Sequence, residues 1–310
     1  MRWLDELASS PVEGPSAVTI GVFDGVHLGH RHLFATLRTE AQRRGLHTVA
    51  LTFRNHPRLF LYPERPFPLL STPEERMRLI RQQGVEAVIP LTFDADLARV
   101  PAQAFLQALV ERLKMRLLVA GQDFALGYHR QGTLPVLQAL GNQMGFAVVV
   151  ASPFLLDGRV VSSSAIRQAV LDGRVEEASR MLGRPPALEG TVRAGAGRGR
   201  QLGYPTANLE VEPSLAIPAN GIYATLAVVD GRRWPSATSI GTRPTFGEGV
   251  RTVETYILDF TGDLYGRRLR LEFVRRLRDE QAFPTVQALV EQMARDIAQA
   301  RSILSNLAPV

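Results

Sequence analysis

Two histidines, His27 and His30, stand three residues apart in the segment AVTIGVFDGVHLGHRH at residues 17–32. An apolar run precedes them, and the apolar spacing of a helix begins after them at Leu33. Residues three apart share one face of a helix, so both imidazoles should point the same way at its N-terminus. That end carries unpaired N–H groups and a positive partial charge, which favour a phosphate. The spacing therefore favours a site for developing phosphate charge.

The same histidine pair has two other interpretations, which the residues alone leave open. Two histidines at this spacing can hold a metal ion, or they can be unrelated surface residues. A zinc site would need a third and a fourth ligand, and the chain has no cysteine to supply them.

Three consecutive serines, Ser162, Ser163 and Ser164, precede a helical pattern that contains Arg167. Serine hydroxyls can cap helix N–H groups and bind phosphate, and the arginine adds a bidentate cation one turn later. The alternative interpretation is a plain serine cap with an arginine that faces solvent.

The second half of the chain must use other groups, because all six histidines lie before residue 184. Glu254 and Asp259 are the obvious carboxylates for acid or base chemistry. Thr206 and Asn208, in the segment PTAN, place a hydroxyl and an amide two residues apart. On an extended chain both point to one side and can share a hard cation that bridges phosphates.

Two phosphate-binding loops are excluded. Lys114 is the only lysine, so the Gly-Lys-Ser/Thr of a Walker-type P-loop is absent. The segment GAGRGR at residues 195–200 is close to a dinucleotide fingerprint, but Arg200 stands where the last glycine belongs and a turn follows it. A protein of this sequence that handles ATP must use arginine, histidine, hydroxyls, helix ends and Mg²⁺.

Composition describes an ordinary globular protein with room for two domains: 310 residues, 45% hydrophobic and 21% charged. The formal charge of +6 comes from arginines scattered among acids rather than clustered with aromatics, so no nucleic-acid partner is expected. No apolar run approaches a membrane span and no signal segment opens the chain, so we expect no membrane partner and a cytoplasmic protein. The oligomeric state cannot be predicted.

Strands and helices alternate in the first half of the chain. Strands are predicted at 17–20, 46–53, 85–89, 117–120 and 146–150, with helices from Leu33, from Pro73, over 102–113 and over 134–144. This alternation predicts a parallel sheet with helices on both faces. Ligands of such sheets bind beyond the carboxyl ends of the strands. His56, Asp123 and the two motifs above fall at such ends.

A change of pattern follows Pro185 and Pro186, which can continue neither helix nor sheet. We therefore predict one domain over residues 1–183 and another over 187–310. Strands at 188–193, 221–229, 236–240, 252–258 and 269–274 follow one another without intervening helices. An amphipathic helix with apolar positions from Val286 to Leu304 closes the chain. This succession predicts an antiparallel β-barrel with a long terminal helix.

These motifs together resemble the bacterial bifunctional riboflavin kinase/FMN adenylyltransferases. TIGVFDGVHLGH, TFRNHP, VAGQDFALG and VSSSAIR resemble the adenylyltransferase half in order. GRGRQLGYPTANL, IPANGIYA, SIGTRPTF, ETYILDF-TGDLYG and LRDEQAF resemble the kinase half in order. The sequence departs from the family at Val22, at Ala125 with Leu126, and at Tyr256, where asparagine, arginine with phenylalanine, and histidine are usual.

The resemblance implies a Rossmann-like nucleotidyltransferase fold of the HxGH type for the first domain. There the FMN phosphate would attack the α-phosphate of ATP. It implies that His27 and His30 stabilise the transition state and that Asp123 and His56 contact the flavin. The groups that it implies for ATP and its pyrophosphate are Gly21, Phe23, Gly25, Ser163, Ser164 and Arg167.

For the second domain the resemblance implies phosphorylation of riboflavin by ATP, with Glu254 as the base and Arg278 at the flavin. Thr206 and Asn208 would hold Mg²⁺ and phosphate, and Arg198, Gly199 and Arg200 would form a flap over ATP. Riboflavin, FMN, FAD and ATP are the implied partners. Two alternatives remain at this stage: an HxGH transferase for another small phosphorylated substrate, and a non-catalytic flavin-binding regulator.

Overall fold

The computed structural model describes residues 1–8, 12–195, 198–242 and 251–307, and only the backbone of residues 198, 200 and 306. Part of the motif SIGTRPTF and the side chains of Arg198 and Arg200 therefore lie outside the described residues. Contacts divide the chain into two compact units, Met1–Ser163 and Ser164–Val310.

The first unit is built on a parallel five-stranded sheet with the order β3-β2-β1-β4-β7. Its strands, with two small hairpins, are β1 Ser16–Ile20, β2 His47–Phe53, β3 Ala87–Leu91, β4 Met115–Gly121, β5 Ala125–Leu126, β6 Gly132–Thr133, β7 Ala147–Ala151, β8 Leu155–Leu156 and β9 Arg159–Val160. The order reverses direction at β1, because β2 and β4 flank it on opposite sides. Ligands of such sheets bind in the crevice at this reversal, beyond the carboxyl ends of β1 and β4.

Helices cover both faces of this sheet, as the sequence predicts. They are α1 Arg2–Ala8, α2 Leu28–Arg44, α3 Pro57–Leu61, α4 Pro73–Arg81, α5 Ala95–Ala98, α6 Ala102–Arg112 and α7 Leu134–Met144. Alternate residues of β1 belong to different cores: Val18 packs with Leu106 and Trp3, and Ala17 packs with Phe34 and Leu37. The loop between β1 and α2 is therefore anchored from both sides of the sheet.

The second unit contains a closed antiparallel barrel, which confirms the predicted fold class. The strands are β10 Ala187–Arg193, β11 Ala207–Val211, β12 Gly221–Val229, β13 Arg232–Thr242, β14 Arg251–Ile257 and β15 Arg268–Arg278, closed in the order β10-β11-β14-β13-β12-β15. The helices are α8 Ser163–Leu171, α9 Val175–Leu182, α10 Arg198–Gln201 and α11 Val286–Leu304. The predicted terminal helix matches α11, although its first residue, Val286, is 64% exposed.

The segment between the two folds packs with the barrel. Arg275 on β15 forms an ion pair with Glu176 on α9 at 3.5 Å, and Arg276 donates to the carbonyl oxygen of Asp172 at 3.4 Å. Helix α9 ends at Gly183, whose φ of 70° suits a left-handed C-cap. The boundary between the two compact units, at Ser163 and Ser164, therefore lies at the start of α8 rather than at Pro185. The predicted boundary at 183–187 stays a prediction about which fragments fold.

The barrel interior contains a chain of buried hydroxyls. The Oγ1 of Thr225 lies 2.8 Å from the Oγ of Ser236 and 2.7 Å from the Oγ1 of Thr238, which donates to Thr255 at 2.9 Å. All four residues have no exposed surface. Buried hydroxyls need partners, and here each supplies one to the next.

Several short elements were not predicted from the sequence, among them α1, α3, α5 and the two small hairpins, and two differences bear on the sites. Helix α2 begins at Leu28, so His30 lies inside its first turn rather than before it. Strand β11, which pairs with β10 and β14, was not predicted as a strand from the sequence. Within the described ranges, every helix falls short of the length and apolar character needed to cross a membrane.

Candidate active sites

Helix α2 starts at a stacked pair of histidines. His27 is the N-cap residue, and its Nδ1 accepts a hydrogen bond from the backbone N–H of His30 at 3.3 Å. The two rings lie 3.6 Å apart between centroids and are inclined by 20°. His27 is 5% exposed. The predicted shared face is therefore realised as a direct ring stack at the helix N-terminus.

The environment of His30 favours a neutral imidazole. Burial lowers the pKa of His30 well below its usual value, and the neighbouring His27 lowers it further. The edge of its ring meets Phe23 at 5.3 Å between centroids. Its buried Nδ1 has no hydrogen-bond partner among the described residues. A neutral imidazole keeps one N–H donor for a phosphate oxygen.

Two glycines leave room for this ring stack. A Cβ on Gly29 would stand 3.0 Å from the His27 ring and 3.2 Å from the carbonyl oxygen of Val161. A Cβ on Gly21 would stand 2.6 Å from the ring of Phe23. Both approaches are tighter than ordinary contacts. The glycines of the motif are therefore needed so that the backbone can approach the rings closely.

The loop between β1 and α2 is strained and tightly held. Phe23 and Val26 have φ values of 54° and 40°, which are costly for residues with side chains. Asp24, 2% exposed, accepts hydrogen bonds from the backbone N–H groups of Leu70 and Ser71 at 3.0 and 3.1 Å. The loop is thus fixed by a carboxylate that the sequence interpretation had left without a role.

The expected ATP-site residues Phe23 and Gly25 support this loop. Phe23 is 3% exposed and packs against Phe34 at 4.8 Å. Gly25 has a φ of 78° and donates its N–H to the hydroxyl of Ser71 at 3.0 Å. Whether either residue touches ATP stays a prediction.

A buried arginine beneath the loop was also missed from the sequence. Arg76, on α4, is 1% exposed, and its Nη2 donates to the carbonyl oxygen of Phe53 at the end of β2. Burial lowers the pKa of Arg76, and the charge of Asp24 partly offsets that effect. Its position four residues after the helix cap Thr72 resembles any amphipathic surface arginine, so no sequence signal marks it.

The serine motif reaches the same loop through one residue. The hydroxyl of Ser163 donates to the carbonyl oxygen of Asp24 at 3.0 Å. Ser164 is exposed at the start of α8, and Arg167 is buried on that helix. The phosphate-binding roles of these three residues stay predictions.

Two expected flavin contacts in the first unit differ in character. Asp123 is exposed in the loop after β4, at the sheet edge where ligands bind. His56 caps α3 by accepting from the N–H of Arg58 at 3.1 Å, and its ring packs against Phe67 at 4.6 Å. His56 thus stabilises the start of α3, and its contact with the flavin stays a prediction.

The second site is a row of residues that crosses the barrel. Strand pairing places Asn208 opposite Glu254, Glu254 opposite Ser239, and Ser239 opposite Ile222, which pairs with Arg278. The row joins three residues named from separate motifs. Ser239 was missed because only the strand register places it beside Glu254.

Residues of this row line one of two neighbouring cavities in the second unit. The Glu254 cavity, of about 300 Å³, is lined by residues that include Thr206, Ser239, Glu254, Phe283, Leu289 and Met293. The Asp263 cavity, of about 350 Å³, is lined by residues that include Thr206, Thr255, Phe260, Asp263 and Tyr265. Thr206 lines both. The barrel therefore offers two neighbouring compartments with a hydroxyl where they meet.

The glycine-rich segment lies against the predicted hydroxyl–amide pair. A Cβ on Gly195 would stand 2.2 Å from the amide nitrogen of Asn208. One on Gly199 would stand 2.4 Å from the carbonyl oxygen of Tyr204 and 3.2 Å from the hydroxyl of Thr206. The missing side chains let the segment approach both residues closely.

Of the two candidate carboxylates, only Glu254 lines a cavity given above. Asp259 is exposed and forms an ion pair with Arg301, with N–O distances of 2.6 and 3.0 Å. This hydrogen-bonded arginine lowers the pKa of Asp259. A carboxylate held in this way is poorly suited to accept a proton.

Arg278 lines the Glu254 cavity, but its guanidinium is engaged elsewhere. It forms an ion pair with Asp296 on α11, with Nη2–Oδ2 at 2.7 Å. Its Nη1 donates to the carbonyl oxygen of Asp279 at 2.8 Å. Direct binding of flavin by Arg278 stays a prediction that these contacts do not favour.

The described residues contain no cluster of three or more histidine, aspartate or glutamate side chains that could hold a metal by itself. Thr206 and Asn208 instead offer neutral oxygens near the carboxylate of Glu254. Mg²⁺ keeps several waters and is commonly held by few protein groups together with substrate phosphates. The residues present fit an ion that arrives with a nucleotide.

A histidine pair on a parallel sheet and a carboxylate in the wall of a barrel cavity define a two-site transferase of phosphorylated groups. Family models agree: residues 9–165 match FAD synthetase, and residues 182–304 match riboflavin kinase. The bifunctional riboflavin kinase/FMN adenylyltransferase of Pseudomonas fluorescens is 39% identical over 92% of each chain. That of Escherichia coli K12 is 34% identical over 100% of this chain and 99% of its own.

A solved structure points the same way for the fold. A protein from Streptococcus pneumoniae described as a macrolide-efflux protein superposes with a TM-score of 0.89 at 32% identity, over 97% of each chain. The present chain belongs to the bifunctional riboflavin kinase/FMN adenylyltransferase family.

Proposed function

We propose that this chain phosphorylates riboflavin to FMN at the barrel and adenylylates FMN to FAD at the parallel sheet. The observation that carries the proposal is the cross-strand row, which pairs Asn208 with Glu254, together with the cavity that Glu254 lines and that shares Thr206 with a second cavity. A kinase needs one compartment for the hydroxyl substrate and one for the nucleotide. The barrel has both.

In the kinase reaction the 5′-hydroxyl oxygen of riboflavin attacks the γ-phosphorus of ATP, and the bond from that phosphorus to the β–γ bridging oxygen breaks. Glu254 accepts the hydroxyl proton, and ADP leaves. Riboflavin occupies the Glu254 cavity, whose walls are largely apolar, and ATP extends from the Asp263 cavity. Such transfers depend mainly on positioning and on charge stabilisation.

Thr206 and Asn208 hold the phosphates and the magnesium ion that accompanies ATP. The ion would neutralise charge on the transferred phosphoryl group. Arg198, Gly199 and Arg200 close over the nucleotide as a flap, since Gly199 already lies beside Thr206.

In the adenylyltransferase reaction a phosphate oxygen of FMN attacks the α-phosphorus of ATP, and pyrophosphate leaves. The phosphate is already a nucleophile, so no general base is required. His27 and His30 donate hydrogen bonds to the charge that develops on the α-phosphate. Ser163, Ser164 and Arg167 bind the departing pyrophosphate, and Asp123 orients the flavin or adenine.

Riboflavin, ATP and Mg²⁺ are mixed with the full-length protein, and the flavins are separated by chromatography. We expect FMN to appear first and FAD afterwards. Excess chelator should stop both steps, because neither site contains a lysine to replace the cation at the phosphates. Accumulation of FMN without FAD would refute the assignment of the first site, and full FMN production in chelator would refute the metal.

A further inference from the structure

Helix α11 forms one wall of the Glu254 cavity. Its residues Leu289, Met293 and Ile297 line the cavity, one turn apart along the same helix face. Glu254 and Ser239 belong to the strands that form another wall. The width of the cavity therefore depends on where α11 lies against the barrel.

A buried ion pair ties α11 to the last barrel strand. The Nε of Arg278 donates to Oδ1 and Oδ2 of Asp296 at 3.0 and 3.1 Å, and the Nη2 donates to Oδ2 at 2.7 Å. Asp296 is 5% exposed and also accepts from the amide of Gln292 at 2.8 Å. Each carboxylate oxygen is thus already engaged by the protein.

Each nitrogen of the Arg278 guanidinium donates at least one hydrogen bond within the protein. Its Nε and Nη2 face Asp296, and its Nη1 donates to the backbone carbonyl of Asp279. Its guanidinium also lies 5.7 Å from the ring centre of Phe283, which lines the same cavity. The arginine thereby connects α11, the end of β15 and an aromatic residue of the cavity wall.

We propose that Asp296 is a positioning residue for riboflavin. It acts through Arg278 to fix α11 and Phe283 at the distance from Glu254 that the flavin requires. The role rests on the proposed function, since it assumes that riboflavin occupies the Glu254 cavity. In this proposal Arg278 does not bind the flavin; it links α11 to Phe283 in the cavity wall.

Arg278 as a flavin ligand and Arg278 as a link between α11 and the cavity wall predict different riboflavin KM values for a double substitution. Removing one partner of a buried ion pair leaves the other charge uncompensated, whereas replacing both by apolar residues of similar size is often tolerated. Asp296→Leu, Arg278→Met and the double variant form the required cycle. Gln299→Ala is the matched control, because Gln299 is exposed on the same helix and lines neither cavity.

Steady-state kinase kinetics of the full chain give separate KM values for riboflavin and ATP. We expect each single variant to raise the riboflavin KM at least tenfold and to change the ATP KM less than threefold. The double variant should have a riboflavin KM closer to wild type than either single variant, and Gln299→Ala should match wild type. FAD formation from added FMN should stay unchanged throughout.

A riboflavin KM in the double variant no better than in Arg278→Met would overturn the proposal, because it would mean that the guanidinium itself binds the flavin. Equal rises in both KM values would also overturn it, since a general loss of structure would explain them. If a single variant fails to fold, the riboflavin KM of the double variant is compared with that of wild type. A KM close to wild type supports the proposal, and a rise of tenfold or more overturns it.

Leu289→Trp tests the underlying assignment separately. It narrows the Glu254 cavity while both partners of the ion pair remain in the chain, so it should raise the riboflavin KM and leave the ATP KM unchanged. A rise in the ATP KM alone would show that the nucleotide occupies this cavity, and the proposed function of the cavity would then fail independently of Asp296.

Discussion

The two candidate sites are assembled in opposite ways. The histidine site is local: a strand end, one loop and the first turn of α2 supply it within residues 20–30. The barrel site is distributed, because its row draws on β11, β14, β13, β12 and β15. The geometry of the local site depends on the strained backbone of one loop, whereas the geometry of the distributed site depends on the register of several strands.

The chemistry of the two reactions matches this difference. A phosphate nucleophile needs only charge stabilisation, which a helix N-terminus and two imidazoles can provide. A hydroxyl nucleophile needs a base, and the barrel places Glu254 in the wall of one of two cavities that share Thr206. Each site therefore contains the groups that its own reaction requires.

Separating the two folds should separate the two activities completely. A fragment of residues 1–183 should convert FMN to FAD without phosphorylating riboflavin, and a fragment of residues 187–310 should do the reverse. Because α9 packs on β15, a fragment of residues 164–310 should melt at a higher temperature than 187–310. A folded fragment 1–183 that binds ATP and FMN but makes no FAD would mean that the sites share residues.

Glu254→Gln should lower the rate of riboflavin phosphorylation by about 10²–10⁴, because the amide keeps the shape but cannot accept a proton. The same variant should still make FAD from FMN. Asp259→Asn is the matched control, since that carboxylate is exposed and paired with Arg301. An unimpaired Glu254→Gln variant would require another base.

His27→Ala or His30→Ala should lower the rate of FAD formation by about 10²–10³, which corresponds to about 3–4 kcal/mol of transition-state stabilisation. ATP affinity, measured by calorimetry, should change much less. His32→Ala on the same helix controls for the loss of an imidazole. If ATP affinity fell as far as the rate, the histidines would be ground-state ligands instead.

The stability of the first unit should decrease at acidic pH because of His30. Its pKa is lowered in the folded state, so below about pH 6.5 the unfolded chain binds a proton that the folded chain does not. The free energy of unfolding should therefore fall as pH drops from 7 towards 5.5, by at most about 1.4 kcal/mol per pH unit. Above pH 7 this contribution should be constant.

Fluorescence of Trp3, buried in the first unit, can report this unfolding in a Trp234→Phe background. His30→Gln should reduce the pH dependence, with His32→Gln as the control for the substitution itself. If the free energy of unfolding of His30→Gln fell as steeply with decreasing pH as that of wild type, groups other than His30 would be responsible for the pH dependence.

The local site was largely predictable from the sequence, and the distributed one only in part. Spacing alone placed His27 and His30 on one face, because i and i+3 are neighbours in any helix. Glu254 and Asn208 were named from separate motifs, but their pairing depends on register, which is decided by the whole barrel. Ser239 and Asp296 carry no local signal for the same reason.

Residues that support the sites were the hardest to predict. Asp24 and Arg76 look like ordinary surface charges in the sequence, yet both are almost fully buried beneath the histidine loop. Their positions follow from tertiary contacts with residues 53, 70 and 71. Arg278 was named as a flavin contact and lines the Glu254 cavity, but its ion pair with Asp296 depends on tertiary contacts that the sequence does not indicate.

The hydroxyl chain of Thr225, Ser236, Thr238 and Thr255 gives the barrel a way to reject wrong alignments. These residues contact one another only when β12, β13 and β14 pair as observed. A slip of one residue would turn hydroxyls from the interior and leave others buried without partners, at about 1–3 kcal/mol for each unsatisfied group. An apolar interior would tolerate several alignments. The buried hydroxyls thus favour the one strand register that pairs Glu254 with Ser239.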